Sequence, residues 1–285
     1  MRLVGGLALL IAGTVSAEEI TVIGYNDMKE CLTAVNEAFT ARHPDAHFHM
    51  ILEGTRTAPA ALADGRSAFA PMGAEFSDQE LADYRKLQNA DPILFKVAHD
   101  SLNPAALSAP LGIFVHKDNP LTRLTVAQVE RIFTQGADWS SVGEKPAPIH
   151  LIGVNPDAAL GIFLRRHIFH DRPYLAAMKG FAQSAEVVRE VGQDPFAIGF
   201  AAANRLTPEV KLVAIDGLLP GQAGYPLDRT LYIYARRPLE PLARDYLDLL
   251  LSPEGQRLIA QGSLGYRPLT SAELAAERAK LGERP

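Results

Sequence analysis

Eight histidines and one cysteine are the first side chains to test for chemistry. His47 and His49 share a face if their stretch is a strand, and with His43 they could converge on a metal. The competing reading, a solvated strand start behind Pro44, is preferred on exposure tendencies. His167 and His170 lie three apart on a segment that also carries Arg165 and Arg166. Those cations repel a metal, so the group reads as a polar surface patch. No G-x-S-x-G, H-E-x-x-H or Walker pattern is present, and no spacing of Ser, His and Asp selects a triad. Cys31 sits at helical spacing with Met28, Leu32 and Val35 and reads as a buried, inert thiol. As the sole cysteine it cannot form an intrachain disulfide. No catalytic residue, metal site or cofactor is assigned.

Non-covalent anion chemistry fits better. In the stretch 149–169, Ile149, Leu151 and Val154 read as a strand, and Leu160, Phe163, Leu164 and Ile168 recur at helical spacing. Between them Asn155 is a good N-cap and Pro156 a good first helical residue. A helix start carries unpaired N–H groups and partial positive charge, which suit an anion. The same strand–turn–helix form recurs at Tyr25-Asn26-Asp27, where Asn26 and Asp27 can cap, and at Thr55-Arg56-Thr57. These turns hold Tyr25, Asn26, Thr55, Arg56, Thr57, Asn155 and Asp157, which the family resemblance described below makes the candidate ligand-binding residues. Arg56 has the fork for a bidentate pair with phosphate or carboxylate, or is an exposed surface arginine. Tyr25 stacks on a ligand or covers the cleft floor. Thr55 and Thr57 contact ligand or cap the short helix after them. Asn155 and Asp157 are caps first and ligand contacts second.

The positioning elements alternate. Strands are expected at 20–24, 48–52, 67–72, 93–98, 111–116, 149–154, 197–201, 211–215 and 231–234. Helices are expected after Asn26 and Thr57, from about Ser77, after Thr125, after Asn155, over 184–191, and over 241–251 and 253–260. This alternation predicts an α/β fold with parallel sheet covered on both faces.

The chain has 285 residues, 47% hydrophobic and 21% charged, which allows two modest domains with a sizeable core. The net charge is −5 with both signs interspersed, so nothing argues for nucleic acid. Residues 1–17 read as a cleavable signal peptide: Arg2, an apolar middle over 7–12 and the small-residue site Val15-Ser16-Ala17. That run is too short to span a membrane, and the mature, secreted chain is expected to begin at Glu18.

Several segments then resemble, in order and spacing, the phosphate-type substrate-binding proteins of ABC transporters. They are GIFVHKDN (112–119), LTVAQVERIF (124–133), DWSSVG (138–143), AIGFA (197–201), YPLDRTLYIY (225–234) and YLDLLLSPEGQRLIA (246–260). The resemblance implies a two-domain periplasmic-binding-protein-like fold of type 2, with a two-strand hinge at 111–116 and 231–234 and a ligand cleft between domains. Domain I would be 18–110 plus 230–285, and domain II 111–229. Trp139, within DWSSVG, would be a packing residue of domain II. The function implied is a periplasmic solute-binding protein, a monomer, passing a small anion to a membrane permease. The family's usual phosphate side chains are largely replaced here: Gly73-Ala74-Glu75 stands in place of a serine and arginine, and Asn155 to Leu160 lacks the hydroxyls. Asp27, Glu75 and Asp157 add negative charge nearby. The alternative is a reassigned binding or sensory module for another oxyanion or small organic ligand; an extracytoplasmic enzyme ranks third.

Overall fold

A computed structural model describes residues 18–282, so the expected signal peptide at 1–17 lies outside the described residues. The first run of elements is β1 (Glu18–Ile23), α1 (Lys29–Thr40), β2 (Ala46–Ile51), α2 (Ala58–Ala63), β3 (Phe69–Met72), α3 (Asp78–Gln88) and β4 (Ile93–His99). The chain then crosses to β5 (Leu111–His116), β6 (Arg123–Leu124), α4 (Val126–Thr134), β7 (His150–Val154), α5 (Ala159–His167), β8 (Lys179–Phe181), α6 (Ser184–Val191), β9 (Ala197–Ala202), β10 (Val210–Leu212) and β11 (Ala214–Ile215). It returns through β12 (Thr230–Ala235) and closes with α7 (Pro241–Leu250), α8 (Pro253–Gln261) and α9 (Ser271–Ala279).

Two five-stranded sheets result, ordered β2-β1-β3-β12-β4 and β10-β5-β9-β7-β8, with β11 and β6 pairing separately. Both sheets are mixed, not wholly parallel as expected: β12 runs antiparallel to β3 and β4, and β5 runs antiparallel to β9 and β10. Strands that return from the other lobe enter without a crossover helix, so nothing forces them parallel. Each sheet has its own core. One packs Leu32, Val35, Phe39, Phe95, Leu247 and Ile259; the other packs Phe114, Ile132, Phe133, Leu164, Val187 and Phe200. Trp139 is 3% exposed in the second core, its indole N–H donating to Phe196 O at 3.2 Å.

The expected hinge strands β5 and β12 are interior strands of different sheets. The chain passes between sheets just before each, at 100–110 and 225–229, and the two passages are tied together. Asp100 N–H donates to Arg229 O (3.0 Å) and Leu111 N–H to Leu227 O (3.1 Å). Cys31 is buried, and burial pushes its thiol up to about 12, which keeps it a thiol in neutral solution. His47 and His49 are exposed on the edge strand β2, and His43 stacks on Phe39 with centroids 4.2 Å apart. Among the described residues no group of three His, Cys, Asp or Glu gathers as a metal site.

Candidate functional site

A cleft of about 420 Å³ lies between the sheets. Its walls are the turn after β1 (Tyr25), the turn after β2 (Thr55), the turn after β3 (Gly73, Ala74), the starts of α5 and α6, and Arg229 from the second crossing. A hollow of about 560 Å³ beside Thr122 to Thr125 is larger, but belongs to one lobe only. Of the seven sequence candidates, Tyr25 and Thr55 line this cleft; Asn26, Arg56, Thr57, Asn155 and Asp157 do not, and all five are exposed.

Tyr25 lies against the backbone at Gly73: a Cβ there would sit 2.7 Å from the phenol ring and push it aside. Burial, with help from Asp27, pushes the Tyr25 hydroxyl up to about 12, so it stays a neutral donor. The helix starts around it carry few side-chain caps. The short 3-10 turn Asn26–Met28, the turn Thr55–Thr57 and α5 all begin without a side-chain cap. Thr57 instead donates to Gly54 O (3.1 Å).

Two cap assignments are corrected. Asn155 does not cap α5. Its N–H donates to Phe181 O (2.8 Å), prolonging β7 beside β8, and its carbonyl accepts from Ala158 N–H (2.9 Å), closing a turn. Ala158 therefore occupies the cap position and the helix starts at Ala159, three residues later than the proline suggests. Asp27 does not cap α1 and does not line the cleft. Its Oδ2 accepts from Leu107 N–H and Ser108 N–H (both 3.0 Å) and from the Tyr266 hydroxyl. It clamps the first crossing to the lobe of α1. Glu75 Oε2 lies 3.5 Å from His167 Nε2 of α5, a polar contact across the lobes. Beside that pair, Arg166 donates to Phe76 O (3.2 Å) and to Asp78 Oδ1 (3.3 Å). One flank of the cleft is thus fastened by the C-terminal turn of α5.

The sequence reading missed the cations of the cleft. Arg229 is 7% exposed, donates through Nη2 to Gly73 O (2.6 Å), and lies with Nε 3.9 Å from Asp100 Oδ2. Its guanidinium faces the Phe163 ring at 5.9 Å. Asp100 is fully buried, which pushes its carboxyl up despite Arg229 and the Ser108 hydroxyl. Arg205 also lines the cleft, but its nitrogens donate to Pro104 O (2.7 Å) and Ala106 O (3.4 Å). Arg229 stands in the segment YPLDRTLYIY, one residue ahead of an apolar strand; a charge placed there was the available signal.

The model of the PBP superfamily domain matches residues 12–254. The chain belongs to this superfamily. The resemblance carried by GIFVHKDN and the segments after it is thereby borne out, together with the two-domain α/β fold. The chain is similar to the phosphate-binding protein PstS of Pseudomonas aeruginosa, 29% identical over 283 residues, spanning 88% of this chain and 83% of the relative. An ABC-type phosphate transport receptor from Vibrio cholerae superposes with a TM-score of 0.64 at 18% identity, covering 88% of this chain and all of that one. PstS from Borrelia burgdorferi gives 0.62 at 14% identity over 89% of this chain. Among the described residues no helix is long and apolar enough to cross a membrane.

Proposed function

We propose that this superfamily member is a periplasmic solute receptor that closes two lobes on a small anion, of the phosphate type carried by its relatives, and presents it to an ABC permease. The lobes would be 18–110 with 230–282, and 111–229, moving about the crossings. Residues 1–17 would be removed on export, and the receptor would act as a monomer without covalent chemistry. The observation that carries this reading is Arg229, a buried guanidinium on a cleft where uncapped helix starts also open. A charge that far from water attracts a counter-ion strongly. Tyr25 and Thr55 would add hydroxyl donors; Asn26, Arg56, Thr57, Asn155 and Asp157 would act, if at all, from the adjoining turns. Hinge closure is stabilised only as far as the ligand prefers the closed form. Calorimetry and small-angle scattering with inorganic phosphate test it. Binding with compaction, lost in Arg229→Gln, is expected; binding unaffected by that substitution would refute the assignment.

A further inference from the structure

We propose that the cleft is built for an organic oxyanion, a charged head on a short hydrocarbon body, in preference to a bare inorganic ion. This rests on the anion-receptor reading above. The charge lies on one side. Arg229 stands with Gly73, Ala74 and Ala159 where the cleft meets a neighbouring hollow bordered by Phe163. Arg205 is tied to two main-chain carbonyls and Arg229 to one, Gly73 O, with Asp100 Oδ2 3.9 Å away, so Arg229 keeps more of its fork for a head group.

The opposite wall is hydrocarbon. Ala182 and Ala185 around the start of α6, and Ala202 at the end of β9, present only methyl groups as side chains. Leu107 closes this side from the first crossing and is 56% exposed, one of the few large apolar side chains left to solvent. Gln183, Ser184 and Arg205 are the polar interruptions; the Ser184 hydroxyl already accepts from Ala202 N–H at 3.1 Å and Arg205 is spent on main-chain carbonyls.

An inorganic dianion held away from water needs donors around its whole surface, because each face stripped of water without replacement carries a desolvation cost. Here a methyl-lined wall would strip water and return little. A ligand with an oxyanion at Arg229 and a carbon chain along Ala182, Ala185 and Leu107 matches both walls. Pockets for organic ligands have this make-up, mostly apolar with a few placed polar groups.

The test uses the mature protein, dialysed free of phosphate, with calorimetric titration of inorganic phosphate, butyl phosphate and butyrate. One organic probe should bind about tenfold tighter than inorganic phosphate, and Leu107→Ser or Ala182→Asp should erase that advantage without lowering the melting midpoint. Inorganic phosphate binding as tightly as both organic probes overturns this inference and leaves the receptor reading standing. No binding of any probe overturns both. Organic preference that survives both wall substitutions overturns the assignment to this wall.

Discussion

Helix starts in this molecule fall into two groups. Away from the cleft they are closed by their own side chains. Ser77 and Glu80 box the start of α3, Thr125 and Gln128 that of α4, Thr270 and Glu273 that of α9, and Ser252 caps α8. At the cleft, the turns behind Tyr25 and Gly54 and the start of α5 at Ala158 have no side-chain cap, while α6, whose start also lines it, is the exception, boxed by Gln183 and Glu186. A capped start has spent its donors on the chain itself. An uncapped one keeps them for water or a guest. The start of α7 at Glu240 is also uncapped, but Pro241 removes one of the donors that would need a partner. The contrast separates helix starts closed by their own side chains from starts whose donors stay open at the cleft.

The sharpest way to break the contrast is to remove its charge. Arg229→Gln should weaken anion binding about 100-fold, near 3 kcal/mol, measured by calorimetry, since a buried guanidinium is harder to replace than helix-start donors. If affinity held, the uncapped starts alone would carry the site. Next comes Asp27→Ala, which leaves Leu107 N–H, Ser108 N–H and the Tyr266 hydroxyl without their acceptor. Urea unfolding should show a loss of about 2–3 kcal/mol, with the first crossing the first segment to exchange its amide hydrogens. A reciprocal pair follows. Thr125→Ala should cost about 1 kcal/mol of stability and leave affinity unchanged, whereas Ala158→Ser should add a cap, raise stability by up to about 1 kcal/mol and weaken binding.

The smallest effect is a pH dependence. His99 Nδ1 lies 3.1 Å from Asp228 Oδ2 and Nε2 3.0 Å from Glu273 Oε2. The bond to Asp228, with that to Glu273, raises His99 above its ordinary 6.5 against the pull of burial. Burial alone would raise Glu273, but bonds from Thr270 and His99 outweigh it and hold its carboxyl down at about 2. The histidine's contribution is complete below 6.5 and fades as pH rises through its raised value; the glutamate's is complete above its ordinary 4.5 and fades as pH falls toward 2. Stability should therefore be greatest between those two ordinary values, and His99→Gln should flatten the alkaline slope in urea titrations across pH.

Legibility divides along the same line. Caps and boxes are local, and Ser77 and Thr125 start their helices where the sequence places them. Asn155 misleads because a strand of only three residues, β8, claims its N–H, and so short a strand leaves no periodic trace. Asp27 reads as a cap or as a charge hostile to an anion because its true partners are 80 and 239 positions away. Arg229 escapes for the same reason: its carbonyl partner Gly73 is 156 residues distant, and only the fold buries the pair. Periodicity reports what a residue does for its own element; it is silent on service rendered to another lobe.

Arg166 and His167 stitch one flank of the cleft to the segment 75–78. On the receptor reading proposed above, a solute would come and go by the side bordered by Gln183 and Arg205, and a permease would have to work there or undo the seam first.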